Sequence, residues 1–490
     1  MQIVLGVKVL VEKPIRIIAL IGGKVSTLNR KFSTTNKPVF YFFTETFLSL
    51  PQRLPKDPRR NNMKKGLLSV VGLSLSLFGF VSCNTTDGFV AGLVNIGDST
   101  ETYTKAHIDG FNAACEKLGI PTENRIFQNN CGEAADKVSA GIENCIAEGA
   151  SIVITNSFGH QDPAYQAAQE HEDVTIVADT GNYAGLVDLP NYKNAFTNIY
   201  EARYVSGYVG GLKLVELLNG TSKDGKKLSN NNYDENGDIK IGYVGAYTYD
   251  EVISGYTAFY LGVERALEEA DSEVGVHMDV TFTDSWYDQD AEQRGAQTLI
   301  DAGCVLIGQH ADSTGAPNAC ETSYNAGKTV YSVGYNIDML EVAPHAALTS
   351  ATNNWEVYYE YALGLAMEGK GDEIATDWSK GYADNAVGIT ALGPNVAEGT
   401  AAKVKAVEDE LRSGDLHVFD TSKFTVKGEH ITSHKYDFSI MDYTTNTVIH
   451  QGEEVEVVKK DGDVTYVEES VTRSAPYFNI QIDGITWLNK

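Results

Sequence analysis

From residue 88 onward, short apolar runs alternate with longer amphipathic stretches, and this alternation restricts the fold more than any other feature of the chain. The runs FVAGLVNIG, SIVITN, VTIVAD, IKIGYVG, VLIGQ and TVYSVG are almost continuously apolar, as strands covered on both faces should be. Between them, residues 101–118, 133–148, 161–171, 200–218, 250–269, 288–302, 313–326 and 353–368 read as helices. In 250–269, Val252, Tyr256, Phe259, Val263 and Leu267 recur at three- and four-residue steps, which places them on one helix face. Strand–helix alternation of this kind predicts an α/β fold of parallel sheets with helices on both faces. About 400 residues exceed what one core usually holds, so two such lobes are expected. The polar, Asn/Gly-rich segment 219–238 predicts a surface loop. After 391 the pattern changes: a helix over 398–412, then a strand-rich extension over 424–490 with KKDGDV as a hairpin tip.

The segment Met63–Cys83 reads MKKGLLSVVGLSLSLFGFVSC. A basic start, a short apolar core and a small residue before the cut are the three regions of a signal peptide. The apolar core is too short for a transmembrane helix, which needs about 20 residues. A cysteine at the cut resembles the lipobox of bacterial lipoproteins, with Phe80 where an aliphatic residue is common. That resemblance implies a lipid on Cys83; the alternative is a buried helix ending at a core cysteine. Residues 1–62 carry eleven Lys/Arg against three Asp/Glu, and their apolar stretches are interrupted by Lys8, Lys13, Arg16 and Lys24. The expectation is that Met63 is the true start and that 1–62 is a non-native upstream segment.

Beyond residue 82 the chain has 26 Lys/Arg against 63 Asp/Glu, a formal charge of −37. Nucleic-acid binding needs a basic footprint and is excluded on this ground; so is adhesion to an anionic membrane without an anchor. Five further cysteines, Cys115, Cys131, Cys145, Cys304 and Cys320, include no C-x-x-C pair. Zinc and thioredoxin chemistry are therefore not indicated, and either one disulfide or buried inert thiols fit the count.

Ligands of parallel α/β sheets bind beyond the carboxyl ends of the strands. In this chain those positions read Asn156-Ser-Phe158-Gly-His160, Asp179-Thr-Gly-Asn-Tyr183, Asp284-Ser-Trp286-Tyr287, Gln309-His310-Ala-Asp312 and Gly334-Tyr335-Asn336. Aromatic faces with amides and carboxylates around them suit a flat heterocycle. Other signatures fail. Gly220–Lys227 lacks the terminal Ser/Thr of a P-loop, and Asp234-x-Asn236-x-Asp238 lacks the glycine and glutamate of a calcium loop. There is neither an H-E-x-x-H motif nor a G-x-S-x-G elbow, so no catalytic residue, metal site or cofactor is expected.

The strings TNSFG (155–159), IYEARYVSGYVGG (199–211), IGYVGAYTYDEVISGYTAFYLG (241–262), DSWYDQDAEQRGAQTLIDAG (284–303), GQHADS (308–313) and VGYNIDMLEVAPHAALTSATNNWEVYY (333–359) resemble the basic membrane protein (Bmp) family over roughly 88–420. Its members are substrate-binding lipoproteins of ABC importers, similar to the purine nucleoside receptor. The resemblance implies a two-lobed periplasmic binding protein type I fold with three crossings between lobes. Lobe 1 is then expected over 88–198 and 346–390, and lobe 2 over 199–345 and 391–423. It also implies a purine nucleoside or nucleobase as ligand, permease and ATPase subunits as partners, and a lipid-anchored monomer facing the periplasm or cell exterior. Carried over on this basis, Tyr103, Phe158 and Trp286 would stack on the purine. Asn156, Asp312 and Asn336 would reach the ring edge or sugar, with helix capping as the alternative. Asn336 stands where nucleoside-binding relatives typically have Asp, which leaves free bases such as adenine open. Glu251 would line the cleft or favour its helix dipole, and Trp355 would line the cleft or pack at the lobe interface. Two other classes stay open: a nucleoside hydrolase drawing on Asp284, Asp312 and Asp338, and a receptor or adhesin that keeps the fold without transport.

Overall fold

The computed structural model describes residues 88–442 and 447–489, together with two short antiparallel strands, Ile18–Ile21 and Lys24–Thr27. Met1–Cys83 and Asn84–Lys490 form separate units. Of the segment 63–83, neither the apolar core nor Cys83 lies within the described residues. No helix among the described residues is long and apolar enough to cross a membrane.

In chain order the strands of the second unit begin β1 (Ala91–Val94), β2 (Arg125–Gln128), β3 (Ile152–Thr155), β4 (Thr175–Asp179), β5 (Tyr192–Thr197) and β6 (Ile239–Gly245). They continue β7 (Val276–Phe282), β8 (Leu306–Gln309), β9 (Tyr331–Tyr335), β10 (Ala347–Asn353), β11 (Asp377–Lys380) and β12 (Val387–Ile389). The helices are α1 (Thr102–Leu118), α2 (Ala135–Ala147), α3 (Gln161–Glu170), α4 (Ile199–Leu218) and α5 (Asp250–Glu268), then α6 (Gln289–Ala302), α7 (Gly315–Asn325), α8 (Trp355–Met367) and α9 (Thr400–Ser413). Two sheets result. The first is six-stranded, in the order β11–β5–β4–β3–β1–β2, and all its neighbours are parallel. The second begins β12–β10–β9–β8–β6–β7, parallel except for the antiparallel edge strand β12. This is the two-lobed, helix-flanked architecture that the alternating pattern predicts.

The chain passes between lobes after Thr197, after Asn353 and between Lys380 and Val387. The first two crossings are tied together, the Thr197 hydroxyl donating to the Asn353 side-chain carbonyl. The lobe boundaries differ from the sequence expectation. Only α8 and β11 of the segment 346–390 lie with the first lobe, while β10 and β12 pair within the second sheet. Seven-residue β10 is buried between β9 and β12, and moving it would leave its ladder unpaired.

Caps and close approaches fix the helices. Glu101 caps α1, its carboxylate accepting the Tyr103 and Thr104 amides at 2.9 Å, and Gly119 ends the helix at φ 71°. Helices α4 and α5 meet backbone to backbone. A Cβ at Gly207 would stand 2.0 Å from the Phe259 carbonyl oxygen, and one at Gly262 2.0 Å from that of Tyr204. The five cysteines of the lobes are free and buried, the inert-thiol alternative; burial pushes Cys115, Cys145 and Cys304 up to about 12.

Past α9 the extension forms small antiparallel pairs. These are β13 (Lys435–Asp437) with β16 (Glu454–Glu456), β14 (Ile440–Asp442) with β15 (Thr447–His450), and β17 (Val458–Asp461) with β18 (Val464–Val467). The last strand, β19 (Ile485–Trp487), returns to the second lobe and pairs parallel to β7 as the seventh strand of its sheet. The Asn489 side chain then extends the ladder, accepting from Phe282 N at 2.9 Å and donating to its carbonyl at 2.8 Å.

Candidate functional site

The carboxyl ends of the two sheets face one another across a narrow slot with a cavity volume of about 30 Å³. The first lobe contributes Tyr103 from α1, Phe158 from the turn after β3, and Thr180 after β4; the second contributes Glu251 from the first turn of α5, Trp286 after β7, His310 and Asp312 after β8, and Tyr335 at the end of β9. The lobes touch around it. The Thr102 hydroxyl donates to the Asp312 carbonyl at 2.6 Å, and the Phe158 ring lies 5.5 Å from that of Tyr249. Trp286 packs on Tyr247 and Tyr249 at 5.1 and 5.9 Å. Phe158 and Trp286 thus reach the same slot from opposite lobes.

The polar lining is held by buried partners. The Asn336 amide donates to Asp312 at 2.8 Å, and Glu251 pairs with the Nε2 side of His310 at 3.0 Å. The Arg203 guanidinium lies 3.8 Å over the Tyr335 ring and donates to the Tyr243 hydroxyl at 2.8 Å, backing the Tyr335 wall from inside the second lobe. Behind Tyr103, the Tyr359 hydroxyl donates to Asp179 at 2.7 Å and is hydrogen-bonded to His107.

Burial sets the charge states. Burial, and then the negative charges of Glu101 and Glu292, push the Asp312 carboxyl well above the carboxylate range. Burial and then Arg203 push His310 down to about 4, against the pull of Glu251. Burial thus disfavours the charged form of both groups; with its Nε2 turned to Glu251, a neutral His310 keeps Nδ1 as an acceptor. The Tyr103 hydroxyl, Thr180 Oγ1 and His310 Nδ1 are buried without a partner among the described residues, as is Asn336 Oδ1 beside Asp312. Buried polar atoms are normally satisfied, so this concentration around an aromatic slot marks a place for a flat, polar-edged ligand.

A profile of PnrA-like ABC transporter substrate-binding proteins, the Bmp family, matches residues 101–414. The chain belongs to this family. A purine-binding protein of Brucella abortus is 27% identical over 332 residues, covering 67% of this chain and 83% of its own length. A putative ABC transporter glucose-binding protein of Haloferax volcanii is 28% identical, covering 56% of this chain and 60% of its own length. Among solved structures, an ABC transporter solute-binding protein of Aeropyrum pernix shares the fold at TM-score 0.53 and 14% identity, covering 70% of this chain and 94% of that one. The Bmp match contains all the slot-lining side chains named above; the extension beyond residue 424 lies outside it.

Of the eight side chains named from the sequence of this Bmp protein, Tyr103, Phe158, Glu251, Trp286 and Asp312 line the slot. Three do not. Asn156 is fully buried, its Oδ1 accepting Ile96 N at 2.8 Å and its Nδ2 donating to Asn95 at 3.0 Å. It braces two strand-end loops and caps no helix. Asn336, held at φ 68°, positions Asp312. Trp355 is buried in the first lobe, stacked on His107 at 4.2 Å and near Phe196; its length carries the ring into the core at the second crossing. Thr180, His310 and Tyr335, with Ile96 and Ser157, complete the lining. All but Ile96 sit at the same strand ends that drew attention to their neighbours, and strand-end position was the signal that could have found them. Among the described residues, the group of three acids and histidines whose ligand atoms lie within 4.8 Å is Glu143, Glu170 and His171; Asp284, Asp312 and Asp338 form no such group.

Proposed function

We propose that this protein captures a purine base or nucleoside in the slot between its lobes and delivers it to the permease and ATPase of an ABC importer. On this reading it works as a monomer held outside the cytoplasmic membrane by a lipid on Cys83, and it transforms nothing. The observation that carries the ligand class is the pair Phe158 and Trp286, reaching one slot from different lobes with Asp312 and His310 in the same lining. A purine between the two rings gains about 1–3 kcal/mol per stacking contact, while its ring nitrogens and exocyclic groups meet donor–acceptor edges. Because the ligand touches both lobes only when they are together, binding favours closure about the crossings. The Brucella relative's purine binding supports the same class.

Calorimetry against adenine, adenosine, guanosine and inosine, with glucose as comparison, tests the reading. Saturable heat with at least one purine and none with glucose is expected; the reverse overturns the ligand class. Chromatography of the retained ligand should return it intact, which a hydrolase would not do. Labelling of cells with an alkyne fatty acid should mark the protein, and Cys83→Ala should abolish the label.

A further inference from the structure

The C-terminal extension touches both lobes, but by different means. On the second lobe it is built in. Strand β19 continues the sheet, the Trp487 indole donates to the Tyr256 hydroxyl at 2.9 Å, and buried Glu469 accepts Ser254 of α5 at 3.0 Å. The same carboxylate accepts the backbone amides of Tyr477 at 2.6 Å and Phe478 at 2.8 Å, so the anchor folds the extension as it fastens it.

On the first lobe the grip is small and separable. Ser474 donates its amide and its hydroxyl to one carboxylate oxygen of Asp377, both at 2.9 Å. The His450 ring stacks on Tyr183 at 4.5 Å, and Ile440 is seated in the apolar cluster beneath Tyr183 and Tyr192. Between these grips, Arg473 stands 3.8 Å from Asp250 at the start of α5, so consecutive residues of the extension reach an acid on each lobe. The span lies directly beside the ligand slot: Tyr436, Met441 and Arg473 wall a wider opening that shares Phe158, Thr180 and Glu251 with it.

We propose that the extension is a clasp. It moves with the second lobe and, by gripping the first beside the slot, biases the two lobes towards the closed arrangement before ligand arrives. Sheet pairing and a buried carboxylate make the second-lobe anchor permanent, whereas among the described residues hinge opening must release the two Ser474–Asp377 hydrogen bonds, the His450 ring from Tyr183 and Tyr165, and Ile440 from its apolar cluster. A closed state populated in advance raises apparent affinity by the fraction already competent, and ligand release requires the same grip to be undone. The inference does not depend on the ligand being a purine.

The test therefore uses the full chain without ligand. Spin labels at Glu172→Cys and Glu273→Cys, exposed sites on the two lobes, report the interlobe distance by double electron–electron resonance in a Cys83→Ser background; the five other cysteines are buried. Two variants release different grips, Asp377→Asn with Ser474→Ala, and Ile440→Ser with His450→Ala. Each is checked for native near-ultraviolet dichroism, so that if one fails to fold the other decides. A longer-distance population that is absent or minor in the parent is expected. An unchanged distance distribution in a folded variant overturns the clasp.

Discussion

Two tryptophans separate the chemistry of the slot from the packing behind it. Trp286 lines the slot and is half-buried, whereas Trp355 is enclosed at 1% exposure. Trp286→Ala should weaken purine binding by about tenfold or more, the loss of one stacking contact of ~1–3 kcal/mol, and leave the melting temperature nearly unchanged. Trp355→Ala should cost about 3–5 kcal/mol of stability, read as a lowered denaturation midpoint. The sequence displays both rings near strand ends and cannot tell them apart, because their difference lies in what approaches from another lobe. The same holds for Asn156 and Asn336. Each is a polar residue after a buried strand, and only the fold reveals that Asn156 has its amide engaged by Asn95 and Ile96. Phe158 and Asp312 were legible because a strand end in a parallel sheet leaves few other uses for an aromatic or a carboxyl.

At the scale of elements, the helices are readable almost to their ends, most by an apolar stripe, α4 and α5 as long runs buried on nearly every side. Strands β5 and β10 were not. Their sequences, YKNAFT and ALTSATN, look polar although both strands are largely buried. Lys193 is accommodated by donating to the Asp372 and Ile374 carbonyls at 3.1 and 2.6 Å, partners about 180 residues away that no local pattern announces. Helices α4 and α5 make a sharper point. Gly207→Ala would place a methyl against the Phe259 carbonyl, and the overpacking should outweigh the better helix propensity of alanine. A net loss of about 1–3 kcal/mol is expected by thermal or urea denaturation; a gain would mean that the helices can part without cost.

For the molecule as a whole, charge and pH set two further expectations. The slot and its adjoining openings are lined by Asp98, Glu101, Glu133, Asp162, Asp250, Glu251 and Asp312, with Arg473 the one Lys or Arg among the described lining residues. A phosphate is repelled by such a lining, so adenosine 5′-phosphate should bind roughly tenfold or more weakly than adenosine in competition calorimetry. Burial raises Glu469, which anchors the extension, to about 7. A carboxyl whose folded value is raised stabilises fully below its unfolded value and loses that contribution as pH climbs through the folded one. Between about pH 4.5 and pH 7 the parent should therefore lose up to about 3 kcal/mol relative to Glu469→Gln, which cannot ionise; parallel melting curves across that range check it. The closing strand β19 carries a separate consequence. A chain cut short before Ile485 would leave β7 with a bare row of amides and carbonyls along Met278–Phe282, a template for pairing between molecules. Prematurely terminated or carboxyl-trimmed copies should then stick to one another as they leave the ribosome or the translocation pore, so only a fully synthesised receptor would stay dispersed.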